Sequence, residues 1–110
     1  MDNASTNRLI RKGVDSPEID ILGISHDKRK TFVVEVKASP DRVEHIKRFA
    51  ENMAKLREFL PFLEDYEIIP IYAGLNTKQE TIKELTKRRI YALIMNGDVF
   101  EIHNFEKIKK

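Results

Sequence analysis

Apolar residues cluster along this chain in two distinct rhythms, short β-branched runs and one long helical stripe. Residues 31–38, TFVVEVKA, form the strongest strand signal, with Phe32 beside the β-branched Val33, Val34 and Val36. Residues 18–25, EIDILGIS, form a second β-rich run, and the charged HDKRK between them suits a hairpin tip. Ser39-Pro40-Asp41 predicts a helix start, with Ser at the N-cap, Pro at the first helical position and an acid in the first turn. Val43, Ile46, Phe49, Ala50, Met53, Leu56 and Leu60 follow at helical spacing and define one buried stripe, which Pro61 closes.

Downstream, residues 66–75 (YEIIPIYAGL) predict a strand in which Pro70 favours an edge or a bulge. Asn76 or Thr77 caps a second helix running to about Arg89, with Ile82 and Leu85 inward. Residues 90–95 and 99–103 predict a hairpin turning at Asn96-Gly97. Upstream, residues 1–7 read as a flexible start, 7–12 as a short edge strand and 13–17 as a turn. An antiparallel meander feeding helical crossovers predicts an α/β domain with a central mixed sheet flanked by helices.

Composition narrows the class. A chain of 110 residues holds one core, so residues 1–110 are expected to form a single domain. No window approaches the roughly 20 apolar residues of a spanning helix, and no signal-peptide core follows Met1. No membrane partner and a cytoplasmic location are therefore expected. Without cysteine there is no disulfide framework, thiolate metal site or cysteine nucleophile. The Lys-, Glu- and Ile-rich composition hints at a thermophilic source. Net charge is only +2, so a nucleic-acid partner must be argued from a site rather than from bulk charge.

The candidate site is where charge interrupts the apolar runs. Asp20 sits between Ile19 and Ile21, while Glu35 and Lys37 interrupt the valine run and project from one face, two residues apart. If 18–25 and 31–38 pair around HDKRK, Asp20 comes to lie near both. Two close carboxylates repel, and a divalent cation with a preference for oxygen ligands relieves that repulsion. A neighbouring lysine can orient an activated water or stabilise charge on a phosphate. The bland alternative is a solvated sheet face.

This arrangement, EIDIL, then TFVVEVKAS, then a helix, resembles the PD-(D/E)XK nuclease superfamily, which includes restriction endonucleases and archaeal Holliday junction resolvases. The resemblance carries motifs from about Glu18 to Phe59 and continues topologically to Ile102. Pro17 is present, but Glu18 and Ile19 intervene before Asp20, so the opening dipeptide is a variant form. The resemblance implies a restriction endonuclease-like three-layer fold and hydrolysis of phosphodiester bonds in DNA, duplex or branched. It implies Mg²⁺, with Mn²⁺ able to substitute, held by Asp20, Glu35 and the Val36 carbonyl, with Glu18 as a further candidate ligand. Lys37 takes the catalytic lysine position, and Lys47 on the following helix is a further catalytic candidate.

The superfamily usually carries a helix before the first strand, with a glutamate that completes the metal site. Only about seventeen residues precede Glu18 here. Either that helix is reduced, Glu18 substitutes, another subunit contributes, or the chain is the C-terminal part of a larger protein. A non-catalytic domain that binds nucleic acid or a protein partner is the alternative reading. His26, His45 and His103 are scattered and pair at no metal-ligand spacing. Arg48, Lys55 and Arg57 could meet phosphates, but the interleaved Glu44, Glu51 and Glu58 favour a charge-laced exposed face. A homodimer is expected, paired through residues 90–103 or the apolar knot at residues 59–63, because a small domain of charge +2 grips a duplex poorly.

Overall fold

The computed structural model describes residues 4–10 and 19–108, with side chains from Asp20 onward. Its strands are β1 (Ala4–Ile10), β2 (Ile19–Ser25), β3 (Lys30–Lys37), β4 (Glu67–Leu75), β5 (Tyr91–Asn96) and β6 (Val99–Ile102). Helix α1 (Val43–Phe59) connects β3 to β4, α2 (Gln79–Lys87) connects β4 to β5, and the short α3 (Phe105–Ile108) follows β6. All six strands form one sheet in sequence order. β3, β4 and β5 run parallel, and β1, β2 and β6 are antiparallel to their neighbours. The expected α/β class and mixed sheet are present. β1 begins at Ala4, within the stretch expected to be a flexible start, because it pairs along β2 as far as Ser25.

Pairing and burial fix the sidedness of the sheet. In the β2–β3 ladder Leu22 opposes Val33 and Ile24 opposes Thr31, and all four are buried. On the same face, Tyr72 of β4 aligns with Ala92 of β5. Leu22, Ile24, Val33, Tyr72 and Ala92 share one core with Ile46, Phe49 and Leu56 of α1 and with Ile82 and Leu85 of α2. Both crossover helices therefore lie on a single face, as two right-handed crossovers advancing in one direction require. Tucked under the end of α1, the 3₁₀ turn Pro61–Asp65 adds buried Leu63, while Phe59 and Phe62 stay exposed. The apolar knot is thus split between core and surface.

The opposite face is apolar and largely open. Ile21, Phe32, Val36, Phe100 and Ile102 are exposed on it, and α3 covers one end, where the Phe105 ring lies 5.8 Å from that of Tyr91. Among the described residues the layers are thus two, with only α3 on the second face. The three-layer arrangement goes beyond what these residues contain.

Three local expectations shift. α1 starts at Val43, with Arg42 rather than Ser39 as N-cap. Pro40 and Asp41 are used elsewhere, as described below. Pro70 stands in an interior strand, but β5 pairing begins only at Ile71, so Pro70 is locally at an edge. The β5–β6 turn is Gly97-Asp98 between the paired Asn96 and Val99, and Gly97 supplies the positive φ of 64°. No described helix is long and apolar enough to cross a membrane.

Candidate functional site

β2 and β3 stop pairing where the charged residues begin. The ladder runs from Ser25↔Lys30 to Ile21↔Val34. Two residues past Val34, the main-chain N–H of Val36 donates to the Asp20 carboxylate at 2.8 Å. A side-chain oxygen thus takes the place of the next backbone partner. Strand geometry turns the Val36 carbonyl to the same side as its N–H, toward Asp20.

Alternation places Asp20 on the face of Leu22 and Ile24, and Glu35 and Lys37 on the face of Val33. All three therefore belong to the helix-covered face, as the sequence spacing implies. Glu35 is only 9% exposed, and Lys37 Nζ lies 3.0 Å from its Oε2. Together the pair sits at the C-terminal ends of the parallel strands, beside the loop leading into α1. In parallel α/β sheets that end is where ligands gather.

Two residues that the sequence pattern did not assign to the site shape this end. Tyr72 aligns with Glu35 across the β3–β4 ladder, is buried, and donates its hydroxyl to the Pro40 carbonyl at 2.9 Å. Burial pushes its phenol well above the ordinary range, and the Glu35 and Asp41 carboxylates push the same way. The hydroxyl therefore stays protonated and able to donate.

Asp41 is the other. Its Oδ1 accepts the Lys78 N–H at 3.0 Å and the Thr81 hydroxyl at 2.6 Å, so it caps α2 from a loop 37 residues upstream. The Thr81 hydroxyl is the main cause holding the Asp41 carboxyl below its usual range. Gly74 allows the loop to close: a Cβ there would meet Pro40 Cβ at 2.4 Å and Thr77 Oγ1 at 2.9 Å. Tyr72 and Gly74 offered a weak signal, since they look like ordinary strand residues. Asp41 was legible only as a helix-start acid.

The remaining candidates disperse. Lys47 is exposed on α1, one position past buried Ile46. Glu18 lies outside the described residues. His26 shares a 2.6 Å hydrogen bond with the Tyr66 hydroxyl, His45 Nδ1 lies 3.2 Å from the Ser39 carbonyl, and His103 Nε2 lies 3.4 Å from Glu101. Arg57 turns inward to the Leu63 and Tyr66 carbonyls, which removes it from any phosphate-binding row.

Among the described residues no group of three or more Asp, Glu and His side chains could hold a metal. The candidate donors, Asp20, Glu35 and the Val36 carbonyl, are two carboxylates and a main-chain oxygen. That set fits Mg²⁺, which is commonly held by one or two carboxylates and keeps several waters. Compared with known proteins, the chain matches no family model, and neither curated proteins nor solved structures give a match.

Proposed function

We propose that this domain is a metal-dependent nuclease of the PD-(D/E)XK type, hydrolysing phosphodiester bonds in DNA. The observation that supports it is the break in pairing at the end of the β2–β3 ladder. There Asp20 engages Val36, and Glu35 and Lys37 form a close pair on the same face. Asp20, Glu35 and the Val36 carbonyl would hold the Mg²⁺, and the bound ion would supply an acidified water and Lewis-acid stabilisation of the phosphate. Lys37, 26% exposed at its side chain, can donate to a phosphate oxygen or to the attacking water. Tyr72 fixes the carbonyl of Pro40 and with it the loop after Lys37. In the full restriction endonuclease-like arrangement, a second helical layer would cover the open face.

The test is cleavage of single-stranded, duplex and branched DNA with Mg²⁺ or Mn²⁺. Asp20→Ala and Lys37→Ala should each abolish cutting, a loss of about 10³-fold or more, equivalent to about 4 kcal/mol of barrier, with unchanged circular dichroism. A wild-type protein that cuts none of these substrates sinks the reading.

A second reading is a non-catalytic binding domain. It is favoured by the absence of a third carboxylate or histidine beside Asp20 and Glu35 among the described residues. Calorimetry separates the two: DNA binding without any heat from millimolar Mg²⁺ selects the second. The homodimer is likewise a proposal, drawing on the exposed Phe100 and Ile102 of edge strand β6. A light-scattering mass of 12.9 kDa at every concentration excludes it.

A further inference from the structure

Away from the carboxylates, α2 and the turn after β6 enclose a cleft of about 300 Å³. Among the described residues, its charged side chains are Lys83 and Lys87 from α2 and Lys107 from α3, joined by the imidazole of His103, and no carboxylate lines it. Three lysines in one cleft exceed the net charge of the whole chain, which is +2.

The cleft is also firmly built. Asn104, at its base, is 2% exposed. It accepts the Ala92 N–H at 2.9 Å and donates to the Ile90 carbonyl at 3.0 Å and to Thr86 Oγ1 at 2.9 Å. The bond to Thr86 ties the two walls together. Lys83 and Lys87 stand one helical turn apart, with Cβ atoms about 5–6 Å from each other. Glu84, the carboxylate nearest Lys87, lies 3.7 Å from it and is held at 2.8 Å by Arg88 on the flank. Glu101 sits beside His103, so the lysines carry the charge of the cleft.

We propose that this cleft binds the phosphate backbone of a nucleic-acid strand. Lysine ammonium groups act as point charges toward phosphate without reading sequence. A preformed floor with its polar atoms already paired leaves Lys83 and Lys107 to the ligand, while Lys87 also pairs with Glu84. Such a site raises affinity for DNA whether or not Asp20 and Glu35 cut it, so it does not rest on the nuclease reading.

The test is fluorescence anisotropy with a labelled 20-nucleotide single-stranded DNA in EDTA, across a salt series, where cleavage cannot occur. Binding by wild type in EDTA, where no divalent ion is free, separates this site from the metal reading. The double variant Lys83→Gln/Lys107→Gln should bind about 10-fold more weakly. Its salt slope should be lower by roughly 1.4, the loss expected for two phosphate contacts on a single strand. Lys83→Arg/Lys107→Arg should retain binding, and circular dichroism should confirm that each variant is folded. No binding by wild type overturns the proposal, as does an equal loss from Lys28→Gln/Lys55→Gln, on other surfaces. Displacement of the DNA by pyrophosphate, beyond the effect of matched ionic strength, overturns it in favour of small phosphorylated ligands.

Discussion

The two faces of the sheet invert the usual assignment of polar and apolar residues. The helix-covered face holds the tight core of Leu22, Val33, Phe49 and Tyr72, yet it also carries Asp20, Glu35 and Lys37. The open face meets solvent with Ile21, Phe32, Val36 and Phe100, and on β2–β6 its charged side chains are Lys30 and Glu67 at one end of the ladder. Parallel strands are ordinarily buried on both sides. Burying a carboxylate costs free energy unless it is paired, and exposing a contiguous apolar surface marks contact with something else. The proposed chemistry lies on the first face and the proposed association on the second.

The sharpest way to break this comparison is to remove one ring from each face. Phe49→Ala, 1% exposed, should cost about 3–5 kcal/mol in urea unfolding. Phe32→Ala, 37% exposed, should cost about 1 kcal/mol, because much of its ring already contacts water. Equal losses would mean that the open face is packed as tightly as the covered one.

A smaller effect is expected at Asp41. Asp41→Ala removes the cap of α2 and should lower stability by about 1 kcal/mol at pH 7. Its folded-state carboxyl is held down by Thr81, so the contribution is present above the unfolded value of about 4 and lost as pH falls through the folded one. The gap between wild type and variant should therefore close below about pH 4. A gap that persists at pH 2 would assign the loss to packing instead.

The smallest change in stability should come from Glu35→Leu. Replacing a buried charge by an apolar side chain of similar volume is often neutral or stabilising, and Lys37 retains access to water. Thermal unfolding should shift by less than about 1 kcal/mol equivalent while any cleavage disappears. A large destabilisation would make Glu35 a structural residue and weaken the case for chemistry on this face.

Much of this was legible in the sequence because strand alternation is a geometric rule. Glu35 and Lys37 share a face by alternation alone, and Asp20 joins them because the register around HDKRK sets Leu22 opposite Val33. The start of α1 was not legible. Ser39-Pro40-Asp41 has the local chemistry of a helix cap, but Pro40 packs against Gly74 and Asp41 reaches α2, contacts more than thirty residues away. Local propensity yields to such tertiary contacts. Tyr72 was missed for the same reason, since its role depends on the loop it bonds. That both crossover helices cover one face follows from the strand order, which the sequence pattern left open.

The Asp41 clasp has a consequence for motion. The Lys78 amide is hydrogen-bonded to the loop that follows Lys37 rather than to its own helix. The first turn of α2 cannot fray while that loop is seated, and the loop cannot lift without exposing that amide. Slow amide exchange at Lys78 is thus a gauge of how often the segment beside Glu35 and Lys37 opens. A reporter in one crossover connection reads the closure of the other.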